Sequence, residues 1–187
     1  MSVEMITLGC RLNFAESETI ARAAPADEDW IVVNSCAVTN EAVRQTGQAI
    51  RRAHRQRPSA KILVTGCAAE LEPDRFRTMA GVSRVVGNAG KLSSLAANDV
   101  IASSGFQGHV RSFVAVQTGC DHRCTFCSIW RARGPSISLE FELIRDAVAR
   151  EIDRGAKEIV LTGVDITDYD GGLGKLCQRL LAAEPRP

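Results

Sequence analysis

Residues 30–67, WIVVNSCAVTNEAVRQTGQAIRRAHRQRPSAKILVTGC, decide how this chain folds. Two apolar runs, Trp30–Val33 and Lys61–Thr65, flank a polar stretch rich in Ala, Arg and Gln. Near-continuous aliphatic runs of this kind suit strands buried on both faces, as in a parallel sheet covered by helices. The stretch between them opens at Thr39 or Asn40, both good helix caps, and runs to about Arg57 before Pro58 stops it. Strand, helix and strand in this order make a parallel βαβ unit.

The same alternation extends in both directions. Val3–Leu8 reads as a strand ending at Gly9-Cys10. Asn13 then caps a helix to about Ala24, with Glu16 three residues on in a capping-box-like arrangement. Beyond Cys67, a shorter helix around Pro73–Met79 precedes a strand near Arg84–Val86. Gly87 to about Val110 is rich in Gly, Ser, Ala and Asn and reads as a linker, with weak helical character around Lys91–Ala97. A second α/β unit starts with a strand at Arg111–Val116, followed by a cysteine-rich loop over Gly119–Ser138. An amphipathic helix over Leu139–Arg154 puts Leu143, Ile144, Ala147, Val148 and Ile152 at core spacing, and Gly155 suits its end. A strand at Glu158–Thr162 and a helix at Gly174–Ala183 complete the pattern. The expected fold class is α/β: an open parallel-sheet domain over residues 1–87, a linker over 88–110, and a second unit over 111–187.

Composition narrows the function. With 45% hydrophobic and 24% charged residues over 187 positions, the chain can build one ordinary domain or a little more. The net charge of +1 requires any nucleic-acid surface to be a local patch. No run of about 18 apolar residues is present, so no membrane-spanning helix is expected. Met1-Ser2-Val3-Glu4 lacks the pattern of a secretory leader, so the expected location is the cytoplasm. Seven cysteines in a reducing compartment point to metals or catalysis rather than disulfides.

Six of those cysteines fall in two sets. Cys120, Cys124 and Cys127 form CxxxCxxC in one short loop. Thiolates are soft donors that select zinc, copper(I) or iron–sulfur clusters. A structural zinc normally takes four ligands, whereas three thiolates on a cubane cluster leave one iron open. A zinc knuckle completed by His122 is the alternative. Cys10, Cys36 and Cys67 are far apart in sequence, yet each lies just beyond the carboxyl end of an expected parallel strand. That edge is where open α/β sheets bind ligands. The alternative is three small buried hydrophobes.

The flanking residues carry a resemblance. CxxxCxxC with Phe126 before its last cysteine resembles the signature of radical S-adenosylmethionine enzymes. Val116-Gln117-Thr118-Gly119-Cys120 and Arg133-Gly134-Pro135-Ser136 resemble the methylthiotransferase branch. So do the segments Thr7-Leu8-Gly9-Cys10-Arg11-Leu12-Asn13, Val33-Asn34-Ser35-Cys36 and Thr65-Gly66-Cys67-Ala68. Gly9-Cys10-Arg11-Leu12-Asn13 and Leu161-Thr162-Gly163-Val164-Asp165 favour the threonylcarbamoyladenosine tRNA methylthiotransferases, more than the branches acting on another tRNA base or on a ribosomal protein.

The resemblance implies two [4Fe–4S] clusters, one on Cys120, Cys124 and Cys127 and an auxiliary one on Cys10, Cys36 and Cys67. It implies S-adenosylmethionine as cofactor, with Phe126, Gly163 and Asp165 near it, and an adenosyl radical that opens the 2-position of a modified adenosine beside the anticodon. The implied partners are a tRNA substrate and an electron donor such as a flavodoxin or ferredoxin, with no membrane. Arg44, Arg51, Arg52 and Arg55 could meet tRNA phosphates; equally, they could form a solvated helix face whose charge suits the helix end. Arg131 and Arg133 could meet substrate or cofactor, and Cys177 reads as core. The family's catalytic domain is a partial (β/α) barrel of six units, about 180 residues by scaling from a full barrel. Residues 111–187 supply only about two of these units, so the chain is expected to be truncated, and an incompetent iron–sulfur-binding fragment is the alternative function.

Overall fold

The computed structural model describes residues 3–23, 29–91, 104–105 and 110–184. The first part runs β1 (Glu4–Thr7), α1 (Arg11–Ala23), β2 (Trp30–Ser35), α2 (Asn40–Gln56), β3 (Lys61–Gly66), α3 (Cys67–Leu71), α4 (Pro73–Arg77) and β4 (Val82–Val85). The four strands form one parallel sheet in the order β1-β2-β3-β4. The open parallel sheet expected from residues 30–67 is therefore present, with Ile31 beside Ile62 and Val33 beside Val64.

The unbroken apolar runs have a physical reason. Ile31, Val33, Ile62 and Val64 pack on one face with Val43 and Ile50 of α2 and with Phe76 of α4. Val32 and Leu63, between them in sequence, pack on the other face with Ile20 of α1. Successive side chains of a strand point to opposite faces, so a sheet covered on both needs apolar residues at every position. Thr39 caps α2 as expected, its hydroxyl accepting from the Ala42 amide at 3.1 Å.

Two local expectations are corrected. α1 begins at Arg11, so Asn13 and Glu16 lie inside the helix and form no capping box. Their side chains are taken by long-range partners, which outweigh local capping. A short helix, α3, also starts directly at Cys67, ahead of the one expected near Pro73.

The second part contains β5 (Ser104–Gly105), β6 (Arg111–Ala115), β7 (Gln117–Thr118), α5 (Ile129–Arg133), β8 (Ile137–Ser138), α6 (Phe141–Asp153), β9 (Glu158–Thr162) and α7 (Leu173–Ala183). β6 and β9 pair in parallel, β5 joins β6 antiparallel, and β7 and β8 form a small antiparallel ribbon. This is two βα units, β6 leading to α6 and β9 to α7. Ile144, Ala147 and Val148 of α6 are buried against Val114 and Val116, with Leu143 and Ile152 at the margin. Glu151 is buried on the same helix, accepting from Ser112 Oγ at 2.8 Å and pairing with Arg22 of α1. Cys177 is half-buried and lines an apolar cavity of about 370 Å³ with Val148, Ile159, Leu161 and Leu180.

α1 joins the two parts, packing on β1 and β2 and also on β5 and β6. Asn88–Gly90 forms a 3₁₀ turn, and Lys91 after it is buried. Apart from Lys91, the helical character expected at Lys91–Ala97 lies outside the described residues. No helix among the described residues is long and apolar enough to cross a membrane.

Candidate functional site

The carboxyl edge of the first sheet is built from buried polar side chains. Asn13 Nδ2 donates to the Leu8 carbonyl at 2.8 Å and to the Ser35 carbonyl at 3.0 Å. Asn34 Nδ2 donates to the Asn13 carbonyl at 2.9 Å and to Ser17 Oγ at 3.0 Å. Ser35 Oγ donates to the Thr65 carbonyl at 2.5 Å and accepts from the Ala69 amide at 3.1 Å. These bonds satisfy backbone groups that the ends of β1, β2 and β3 would otherwise leave unpaired. They also fix the three turns that carry Cys10, Cys36 and Cys67.

Cys10 and Cys67 both lie near Cys36. Gly9 has φ +99°, and a Cβ there would lie 2.7 Å from Cys36 Cβ and 2.8 Å from its Sγ, so only glycine admits this approach beside Cys10. Burial pushes the Cys36 thiol up, and the nearby Cys67 and Cys10 add to the rise. Cys67 Sγ accepts from Asn88 Nδ2 at 3.7 Å.

The second set lies on the loop between β7 and α5. Cys120 and Cys127 are half-buried and Cys124 is exposed. The Cys127 amide donates to the Cys124 carbonyl at 3.1 Å, and the Ile129 amide to Cys127 Sγ at 3.4 Å. Phe126 stands 92% exposed, an apolar ring without cover. Asp165, in the turn after β9, comes within 4.0 Å of Cys120 Sγ and 3.2 Å of His122 Nε2. Gly163 lies at the start of that turn.

A buried charge network joins the two sets. Arg133 of α5 donates to both Glu16 oxygens, at 2.7 and 3.0 Å, and to Asn13 Oδ1 at 2.5 Å. Lys91 Nζ pairs with the same carboxylate and donates to Asn88 Oδ1 at 2.8 Å. Asn88 Nδ2 also donates to the Ala132 carbonyl at 2.6 Å, and Ser128 Oγ to the Ala37 carbonyl at 3.2 Å. α5, which follows Cys127, thereby packs on α3, which starts at Cys67. Arg133 is thus committed to Glu16 and Asn13, its side chain only 2% exposed, rather than turned to a substrate or cofactor. Burial works against its charge, but Glu16, and behind it Cys67 and Cys10, push its pKa up.

Burial alone would raise the Glu16 pKa, yet Lys91 and Arg133 together hold it below the ordinary 4.5. The folded state then binds fewer protons than the unfolded one in this range. Glu16 stabilises the fold at pH above its ordinary value, and that contribution is lost as pH falls through the lower folded value. Urea midpoints measured from about pH 6 to about pH 3.5 should fall with acidification, and Glu16→Gln should flatten the part due to this carboxylate.

The helix charges divide. Glu41 holds Arg44 through two bonds of 2.6 Å, and these, with Gln45, bring the Glu41 carboxyl down to about 2. Arg51, Arg52 and Arg55 are exposed and have no ion pair with a described residue.

The donor sets fit clusters better than single ions. Among the described residues, no three His, Cys, Asp or Glu side chains gather closely enough for one metal ion, as a zinc knuckle requires. A cubane asks for less convergence, because each thiolate takes a different iron. Three thiols brought to one sheet edge, near the cations Arg133 and Lys91, suit a group that binds thiolates.

Sequence reading missed Gln117, Asn88 and Lys91 as parts of the site. Gln117 had one signal, a polar residue ending the apolar run Phe113–Val116. Lys91, in a stretch rich in Gly, Ser and Ala, had none.

Residues 2–87 match the family described as uncharacterized protein family UPF0004, and residues 114–184 match the radical SAM superfamily. The chain is 40% identical over 189 residues to a threonylcarbamoyladenosine tRNA methylthiotransferase MtaB from Rickettsia prowazekii, covering 91% of this chain and 45% of that protein. It is 31% identical over 208 residues to the protein of the same name from Thermotoga maritima, covering 96% and 48%. It is 31% identical over 191 residues to a tRNA-2-methylthio-N(6)-dimethylallyladenosine synthase from Nitratiruptor sp., covering 87% and 44%. The chain spans under half the length of each of these relatives.

Proposed function

From a chain that belongs to the UPF0004 family over residues 2–87 and to the radical SAM superfamily over residues 114–184, we infer the cluster-bearing portion of a tRNA methylthiotransferase. Its substrate is threonylcarbamoyladenosine next to the anticodon, methylthiolated at the 2-position. The reading is carried by one arrangement: Cys10, Cys36 and Cys67 come to one edge of β1–β3, and the helix after Cys127 packs on the helix that opens at Cys67.

Cys120, Cys124 and Cys127 would hold one [4Fe–4S] cluster, and Cys10, Cys36 and Cys67 would hold the second. The chemistry a bound cluster supplies there is one-electron reductive cleavage of S-adenosylmethionine. The chain's own groups bind and orient. Phe126 offers its bare ring to the adenine, and Asp165 accepts from the cofactor's amino group. Gly163 lets that turn approach the cysteine loop. Arg51, Arg52 and Arg55 face the tRNA phosphates, and Arg44 adds to them only where Glu41 releases it. The electron donor is of the flavodoxin or ferredoxin class, and the setting is the cytoplasm.

Anaerobic reconstitution with iron and sulfide, followed by analysis of both, tests the reading. About eight irons and eight sulfides per chain, with 5′-deoxyadenosine formed on reduction, are expected for two [4Fe–4S] clusters. About four of each would mean that only one cysteine set loads. Zinc retained without sulfide would overturn the assignment.

A further inference from the structure

Gln117 belongs to neither cysteine set and to none of the cofactor contacts proposed above, yet its side chain is buried and fully engaged. It is 1% exposed. Its Nε2 shares its two hydrogens among three acceptors, the carbonyls of Thr118 and Gly119, at 3.0 and 2.7 Å, and Ser136 Oγ at 2.9 Å. Its Oε1 accepts from the amides of Val164 and Asp165, at 3.0 and 2.9 Å. The two ends of one amide thus hold two different loops. The nitrogen end holds the backbone that leads into Cys120, and the oxygen end holds the turn after β9.

The neighbouring residues are shaped to this amide. A Cβ on Gly163 would lie 2.8 Å from Gln117 Oε1 and 2.9 Å from the Gln117 carbonyl, so glycine is what lets the turn close on it. The result is the approach of Asp165 Oδ2 to within 4.0 Å of Cys120 Sγ. An apolar side chain in place of Gln117 would leave two partly buried amides and two carbonyls short of partners, so the bonds are costly to break.

We infer that Gln117 is a positioning residue, an amide clamp that holds the Gly163–Asp165 turn against the Cys120 loop and so sets where the amino group of S-adenosylmethionine is received. The last clause rests on the reading of Asp165 given under the proposed function. The clamp itself rests only on the five bonds.

Gln117→Met keeps the length and removes every bond, and Ser136→Ala removes a single acceptor. Two readouts apply. The first is the ratio of Cys120 to Cys124 alkylation in metal-free protein, resolved by mass spectrometry. Asp165 stands beside Cys120 while Cys124 is exposed, so the ratio should rise by about threefold or more in Gln117→Met once the turn is released. The second is S-adenosylmethionine affinity of the reconstituted chain, which should weaken by about tenfold with iron content unchanged. Ser136→Ala should move both in the same direction by about two- to threefold.

A wild-type ratio and affinity in both variants, with only a lower melting temperature, overturns the clamp. If Gln117→Met does not fold, an unmoved ratio in Ser136→Ala overturns it. A wild-type chain that loads iron but binds no S-adenosylmethionine counts against the reading of Asp165, while the metal-free ratio still judges the clamp.

Discussion

Cys124→Ala is expected to abolish reductive cleavage of S-adenosylmethionine while leaving iron on Cys10, Cys36 and Cys67. A cubane held by three thiolates already has one open iron, and a second vacancy leaves two anchors and a labile cluster. Cys124 is the exposed member of its set. The first set sits on a different element, at the edge of the parallel sheet, and takes its hydrogen bond from Asn88 rather than from the Cys124 loop. Iron should therefore fall from about eight to about four per chain, and 5′-deoxyadenosine to background. Cleavage at the wild-type rate would refute the ligand assignment. Loss of all iron would show that the two sets assemble as one unit.

Glu16→Gln is expected to be the most destabilising conservative change in the chain. Glu16 is the carboxylate between two buried cations, Arg133 with 2% and Lys91 with 1% of the side chain exposed. Desolvated charges are tolerable only when paired, and removing one partner of a buried pair costs about 3–5 kcal/mol. Here one carboxylate serves two cations, so the upper end of that range applies. Domains are stable by only about 5–15 kcal/mol, so this loss takes a third or more of the total. Arg133→Leu should cost less, because Lys91 still meets Glu16. Urea unfolding of the three proteins ranks them, and a Glu16→Gln loss below about 1 kcal/mol would mean that water reaches the network. The same substitution weakens the tie between α1 and α5, which then rests on the Arg133–Asn13 bond.

The parts of the fold that could be read without coordinates share one property: their signal is local. The runs at 31–33 and 62–64 announce strands covered on both faces, because an exposed face would require alternation. Thr39 caps α2 because its side chain is exposed and its hydroxyl is left to the Ala42 amide. α1 shows where this reasoning fails. Asn13 and Glu16 carry the residue types of a capping box, but Asn13 bonds the Leu8 and Ser35 carbonyls and Glu16 pairs with residues 75 and 117 positions away. A buried pair with two cations outweighs a local cap worth about 1 kcal/mol.

Arg133 follows the same logic. Its place after the cysteine loop made it look like a contact for substrate or cofactor, and tertiary packing turned it inward to Glu16. Glu151 lies buried on the core face of α6 because Ser112, Arg22 and Arg154 receive it. Periodicity has no means of expecting a carboxylate there.

By itself, then, the sequence determined the α/β class, the strands that end at Cys10, Cys36 and Cys67, and the three-thiolate loop, since each is written in neighbouring residues. Only the tertiary structure decided that the two cysteine sets share the Glu16–Arg133–Lys91 network, and that Gln117 spans from the Cys120 loop to the Asp165 turn. The reason is that a buried polar side chain takes whatever partner folding brings to it, and those partners lie far along the chain.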